Sequence, residues 1–137
     1  MRIFTASEQD ILQVMCYDRH IAKDRLELCL RQGMVYALSD GTRILGVLRY
    51  SMFWQSIPFV DLLYIDEAYQ LQGHGKAMMQ RLEQDMLAAG YRYVMLSTQA
   101  DETAKHFYEK LGYHLAGAFL PPEQDAEELM YLKEFGK

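Results

Sequence analysis

Residues 70–76 read Gln-Leu-Gln-Gly-His-Gly-Lys. Gly73 and Gly75 let the backbone turn its N–H groups toward one point, with no Cβ in the way. An amphipathic helical stretch follows. The unpaired N–H groups of its first turn and the positive end of its dipole therefore face the same way. Such a loop is an anion site, and a pyrophosphate fits it. Lys76 adds a positive charge in the first turn. Two well-known phosphate motifs do not fit. A Walker A loop needs Gly at 70 and Ser or Thr at 77, where the chain has Gln70 and Ala77. A Rossmann fingerprint needs a small residue at 78, where Met78 stands, and it follows the first strand of a βαβ unit. A tight strand-to-helix turn would by itself also account for a Gly-x-Gly here.

Asp61 is the second chemical feature. It lies alone in the apolar run from Phe59 to Ile65. An acid there is costly unless it has a partner, such as nearby backbone or Trp54, or does work. His20, His74, His106 and His114 have no metal-ligand spacing with cysteines or acids, so no metal is expected. His74 suits the loop conformation.

These residues need elements to position them. Arg2–Ala6 reads as a strand, and Ser7 as the cap of a helix carrying Ile11, Leu12, Val14 and Met15. Asp24 with Glu27 resembles a capping box for a second helix bearing Leu26, Cys29 and Leu30, stopped by Gly33. Met34–Leu38 and Ile44–Tyr50 form a hairpin around Asp40-Gly41. Phe53–Pro58 is an aromatic loop. The run Phe59–Ile65 predicts a strand covered on both faces. The next helix turns Met78 or Met79, Leu82, Met86 and Ala89 to one side and ends at Gly90. Tyr91–Leu96 is a strand. Asp101 caps a helix with Ala104, Phe107, Tyr108 and Leu111, closed by Gly112. Tyr113–Phe119 and Glu128–Phe135 are the last strands. The order is β-α-α-β-β-β-α-β-α-β-β, a mixed α/β class.

A chain of 137 residues predicts one domain, residues 1–137, with a sizeable core. A hydrophobic content of 50% excludes disorder. The net charge of -5 argues against a nucleic-acid surface and would attract a small cation. Cys16 and Cys29 make no disulfide framework and read as small buried apolar residues in a reducing compartment. The first residues lack the apolar run of a signal peptide, and no stretch approaches a membrane span. The expectation is a cytoplasmic protein with no membrane contact.

Gln70-x-x-Gly73-x-Gly75, between an apolar strand and a helix, resembles the acetyl-CoA signature of the GCN5-related N-acetyltransferase (GNAT) family. The stretch Asp101-x-x-Ala104-x-x-Phe107-Tyr108-Glu109-Lys110-Leu111-Gly112-Tyr113 is similar to that family's following helix. The element order agrees along essentially the whole chain. One departure is Asp101, where the family often has Asn; a carboxylate near phosphates is unfavourable, so 101 is expected to cap the helix only. The resemblance implies a mixed, mostly antiparallel sheet with splayed central strands flanked by helices, the acyl-CoA N-acyltransferase fold. It implies acetyl transfer from acetyl-CoA directly to an amine, with no metal.

By that resemblance the pantetheine arm bonds to backbone at Leu63, Tyr64 and Ile65. The pyrophosphate sits on Gln70, Leu71, Gln72, Gly73, His74, Gly75 and Lys76. Ala104, Phe107 and Tyr108 also face the cofactor. Tyr108 corresponds to the general acid for the leaving thiolate, although packing alone would also place an aromatic there. A base must take the proton of the amine: Asp61 first, Glu67 second. Trp54 and Phe53, with Tyr50, Phe59 and the acidic loop 120–127, are expected to line the pocket of a small-molecule, amino-acid-like amine. The same aromatics could instead serve a homodimer contact. The alternative from another class is a CoA-binding sensor with little turnover.

Overall fold

The computed structural model describes residues 1–136. Its strands are β1 (Arg2–Thr5), β2 (Val35–Ser39), β3 (Ile44–Phe53), β4 (Ile57–Ile65), β5 (Tyr93–Gln99), β6 (His114–Phe119) and β7 (Glu128–Glu134). Its helices are α1 (Ile11–Met15), α2 (Lys23–Arg31), α3 (His74–Ala88) and α4 (Ala104–Lys110). Short 3-10 turns occupy Glu8–Asp10 and Glu67–Tyr69. The order of strands and helices is the expected one. The strands form one sheet in the order β1-β2-β3-β4-β5-β7-β6. The β4–β5 pairing is parallel, and β1–β2, β2–β3, β5–β7 and β6–β7 are antiparallel. The fold is thus mixed α/β with a mostly antiparallel sheet. No helix among the described residues is long and apolar enough to cross a membrane.

The chain divides into two compact units, Met1–Ser51 with Asp61–Gln84, and Met52–Val60 with Asp85 onward. In the first, the Ser7 N–H donates to Asp10 Oδ2 (2.9 Å), so the capping box forms at Ser7. The box expected at Asp24 does not form. Ala22 is extended, α2 starts at Lys23, and Asp24 accepts only from the Arg25 N–H. Val14, Leu26, Leu30, Val35, Ala37, Ile44 and Val47 make the core, with Phe4, Cys29 and Leu62 packed on it. Leu12 is exposed, because α1 is little more than one turn long and buries only Val14 fully.

The hairpin at Asp40-Gly41 is wider than the sequence signal implied. Asp40 Oδ1 accepts from the Thr42 N–H (2.9 Å), the Thr42 hydroxyl (2.8 Å) and the Arg43 N–H (3.0 Å). This side-chain turn outcompetes a two-residue turn. The bonds, that from Thr42 N–H foremost, pull the Asp40 carboxyl down to about 2.

Further on, β3 passes the end of β4 at Gly46. A Cβ there would lie 2.7 Å from Ile65 Cδ1 and 3.2 Å from the Tyr64 carbonyl oxygen. The Asp66 N–H donates to the Leu45 carbonyl at 2.8 Å beside it. The expected burial of β4 on both faces is not found. Val60 and Ile65 are buried, whereas Tyr64 is exposed and Asp61 is exposed along its backbone with its side chain mostly covered. The β4–β5 ladder comprises Phe59↔Met95 and Val60↔Leu96, while β4 runs on to Ile65.

In the second unit the expected loop Phe53–Pro58 contracts to a tight turn. Trp54 and Gln55 take left-handed φ values of 54 and 59, and the Ser56 N–H reaches the Phe53 carbonyl at 3.0 Å. Such a turn matches strand twist, at a cost of about 1–2 kcal/mol for each non-glycine residue. Phe53 packs on Trp54 (4.9 Å) and Phe59 (6.0 Å). In α3, whose residues up to Gln84 belong to the first unit, both Met78 and Met79 are buried, as are Leu82 and Met86, but Ala89 lies past the helix end and is exposed. Thr103, not Asp101, precedes α4. Gly112 (φ 96) closes α4, with the Tyr113 N–H bonded to the Tyr108 carbonyl at 3.1 Å. Gln124 Nε2 donates to Glu128 Oε2 (2.8 Å) and the Ala126 carbonyl (2.9 Å), and Ser97 donates to Glu128 Oε1 (2.9 Å), which ties the 120–127 loop to β5. All six residues of β6 are exposed, and its pairing with β7 shifts register between Leu115 and Gly117.

Gly46→Ala should destabilise the protein by about 1–3 kcal/mol through overpacking. Gly117→Ala, whose Cβ meets nothing within 4 Å, is the control and should change little. Denaturant midpoints of the two variants check this.

Candidate active site

The loop between β4 and α3 is built from local bonds. Asp66 opens the 67–69 turn by accepting the Ala68 N–H at 3.0 Å. Gln70 Nε2 donates back to the Ile65 carbonyl at 2.8 Å, tying the loop to the strand end, and Gln72 Nε2 reaches the Ala68 carbonyl at 3.5 Å. Leu71 (φ 61) and Gly73 (φ 87) are left-handed. The two glycines therefore differ in role. Gly73 meets the left-handed turn, while Gly75 lies inside the first turn of α3. The other left-handed residue is Leu71, whose side chain is fully exposed. The helical bonds begin with the Ala77 N–H on the Gly73 carbonyl (3.1 Å). The N–H groups of His74, Gly75 and Lys76 precede that bond and lie at the positive end of the helix. Lys76 is exposed beside them. This arrangement fits a diphosphate. Just upstream, Leu63 is half-buried, Tyr64 is 38% exposed and Ile65 is buried.

Tyr108 is buried on α4, with Phe107 and Tyr113 edge-on to its ring at 5.0 and 6.1 Å. Burial, and then the charge of Glu102, push its hydroxyl up to about 12. It keeps its proton through the neutral range, as a general acid must. Ala104 and Phe107 are half-buried on the same helix, and Asp101 is exposed.

Asp61 is not the solitary acid that the sequence presented. Arg49 Nη1 lies 3.5 Å from its Oδ2. Burial raises the Asp61 carboxyl, and Ser51 and Arg49 pull the other way. Arg49 Nε also donates to Asp18 Oδ2 at 2.6 Å. The Asp18 side chain is fully buried, and among the described residues its Oδ1 has no hydrogen-bond partner. One guanidinium thus serves two carboxylates. The partner is Arg49, a strand neighbour that spacing along the chain could not reveal. The nearby Cys29 thiol is pushed up by burial.

Glu67 is exposed and lines a groove of about 510 Å³ between the Cys16–His20 connection and Leu62, Tyr64 and Asp66. Tyr17 stacks on Tyr64 with ring centroids 5.8 Å apart. The Tyr17 hydroxyl donates to Asp66 Oδ2 at 2.8 Å and lies 3.2 Å from the Ile44 carbonyl. Burial, then this bond, raises Tyr17 to about 12, and the same bond lowers Asp66. Asp66 is therefore committed to Tyr17, to the Ala68 N–H and to Arg43 at 3.8 Å. Neither Phe53 nor Trp54 is among the lining residues; Trp54 is 80% exposed at its hairpin tip. Cys16, expected to be buried, is exposed and lines the groove. Sequence reasoning missed Tyr17, Arg19 and His20. The available signal was a run of five polar or reactive side chains, Cys16 to His20, between two helices. Among the described residues no group of three or more His, Cys, Asp or Glu side chains could hold a metal ion.

Arg49→Met should cost about 3–5 kcal/mol, because it leaves the Asp18 charge buried without its partner. Arg31→Ala, at an exposed pair with Glu8, should cost under about 1 kcal/mol. Chemical denaturation at neutral pH separates the two.

A second outcome concerns alkali. The folded values of Tyr17 and Tyr108 lie above the ordinary 10.0. Their contribution is fully present below pH 10 and is lost as pH rises toward 12. Denaturation between pH 9 and 12 should show a falling midpoint over that window. Replacing both with Phe should flatten it.

The chain matches the Acetyltransferase (GNAT) family over residues 4–113. No curated protein sequence matches it. Among solved structures it is similar to Ard1 from Thermoplasma volcanium, with 17% identity, 99% and 98% of the two chains covered, and a TM-score of 0.85. It is similar to the ribosomal-protein-S18-alanine N-acetyltransferase of Escherichia coli, with 14% identity, 97% and 92% covered, and a TM-score of 0.82. It also resembles yncA of Salmonella typhimurium, solved with acetyl-CoA, with 13% identity, 100% and 95% covered, and a TM-score of 0.83. At these identities the likeness speaks for the fold. The family match spans most of the chain and includes both the Gln70–Lys76 loop and Tyr108: the chain belongs to the GNAT family of acetyltransferases.

Proposed function

We propose that the protein transfers an acetyl group from acetyl-CoA to the amine of a small, amino-acid-like acceptor. The observation that carries this reading is the loop before α3. Leu71 and Gly73 are left-handed there, and three N–H groups lie free at the head of a 15-residue helix. That geometry suits a diphosphate, and the family to which the chain belongs supplies the rest of the donor. One of the similar structures holds acetyl-CoA.

In this reading Gln70 to Lys76 bind the pyrophosphate, and backbone groups of Leu63, Tyr64 and Ile65 bind the pantetheine. Ala104 and Phe107 pack against the donor. The acceptor nitrogen bonds to the acyl carbon as the carbon–sulfur bond breaks. The leaving sulfur takes the Tyr108 proton. The amine must shed its own proton first, since an ammonium has no lone pair. Glu67 is the better base. It lines the groove, and among the described residues it holds no ion pair, whereas Asp61 is engaged by Arg49. The groove takes the acceptor, a part expected of Phe53 and Trp54 with Tyr50, Phe59 and the 120–127 loop.

Release of free CoA thiol from acetyl-CoA, assayed with a panel of amines, tests the reading. Tyr108→Phe should lower kcat by ~10²–10⁴-fold with CoA affinity unchanged. Glu67→Gln should lower the rate more than Asp61→Asn. Gly73→Val should abolish CoA binding. Tight acetyl-CoA binding without turnover of any amine, and no effect of Tyr108→Phe, would favour a CoA sensor. Unchanged CoA affinity in Gly73→Val would sink the pyrophosphate assignment.

A further inference from the structure

The groove lined by Glu67 also holds a cation without a protein counter-charge. Arg19 Nε donates to the Cys16 carbonyl at 3.3 Å. That bond fixes one edge of the guanidinium and leaves both terminal nitrogens unused. Among the described residues no carboxylate pairs with Arg19, although Asp66 and Glu67 line the same groove. The chain carries 19 acids against 14 bases, so a cation in an acid-lined groove is not unpaired for want of partners. Asp66 is held by Tyr17, Ala68 and Arg43.

An anchored guanidinium with a free fork is a receptor for a planar oxyanion, which it can grip with two parallel bonds. The remaining lining favours the opposite charge. Glu67 is an unpaired carboxylate, and the stacked faces of Tyr17 and Tyr64 attract a cation. A ligand of either sign alone would satisfy one group and be repelled by the other. A phosphate dianion would meet Glu67 with twice the charge of a carboxylate. The volume of about 510 Å³ is within the range of small-molecule sites.

We propose that the acceptor is a zwitterion, a free α-amino acid or a compound of the same charge pattern. Its carboxylate is gripped by Arg19 and its amine is presented to Glu67, so Arg19 sets the specificity. This rests on the acetyltransferase reading and narrows it. A peptide N-terminus has an amide where the zwitterion has its carboxylate, and a polyamine has no anion. Both are therefore poor acceptors.

The test is thiol release with the standard amino acids. Any that are accepted are then compared with their amides and with the amines left by removing the carboxyl group. Losing the carboxylate should lower kcat/KM by ~10–100-fold, mainly through KM. Arg19→Met should lower kcat/KM for the amino acid by the same factor, bringing its ratio to the amide close to one. Calorimetric titration with acetyl-CoA is run on both proteins alongside. Acetyl-CoA binding with equal use of amino acid and amide would overturn the proposal and leave the acetyltransferase reading standing. So would equal losses on both substrates in Arg19→Met, or acetyl-CoA binding without turnover of any amino acid. A wild-type protein that does not bind acetyl-CoA would overturn the acetyltransferase reading itself.

Discussion

Much of the site depends on how closely β3 approaches the end of β4. Gly46 makes that approach possible, because a methyl group at 46 would press on Ile65 and on the Tyr64 carbonyl. The bond from Asp66 N–H to the Leu45 carbonyl locks the register there. Each later piece is hung from this junction. Gln70 reaches back to the Ile65 carbonyl, so the start of the glycine loop is indexed to the strand. Asp66 sits one residue past the strand and fixes both the 67–69 turn and the Tyr17 hydroxyl. A single missing side chain thus aligns a strand end, the glycine loop and a groove.

The charges follow a second logic. The acids near the groove fall into two kinds. Asp18, Asp61 and Asp66 are held by cations or hydrogen-bond donors, and holding them keeps elements together. Among the described residues Glu67 and Arg19 have no charge partner, and both line the groove. The Asp18–Arg49 pair, the buried one, is costly to break, since a proton change there would leave its partner stranded. Free charges beside solvent have the opposite properties.

Most of the fold was legible in the sequence because it is written in local signals. The element order, the left-handed Gly73 and the Gly112 helix stop come from periodicity and glycine placement. What escaped was non-local. Asp61 looked solitary because Arg49 lies on the neighbouring strand and Asp18 on a connection between helices. Asp24 and Asp101 looked like caps, but Ala22 and Thr103 hold those places. The Trp54-Gln55 turn was invisible because its residues are not those that left-handed turns prefer. The groove was missed because its Cys16–His20 wall belongs to no regular element, whereas the aromatic cluster at 53–59 drew the eye and packs largely on itself.

The outermost strand has a consequence of its own. β6 stands at the sheet margin with every residue in water, and Leu115 and Phe119 are more than half exposed. A straight strand of that kind would be a template for unwanted pairing with another chain. The register shift at Leu115–Gly117 bends it and spoils the even spacing that a newcomer would need. An irregularity that weakens the ladder with β7 thereby guards the protein against aggregation.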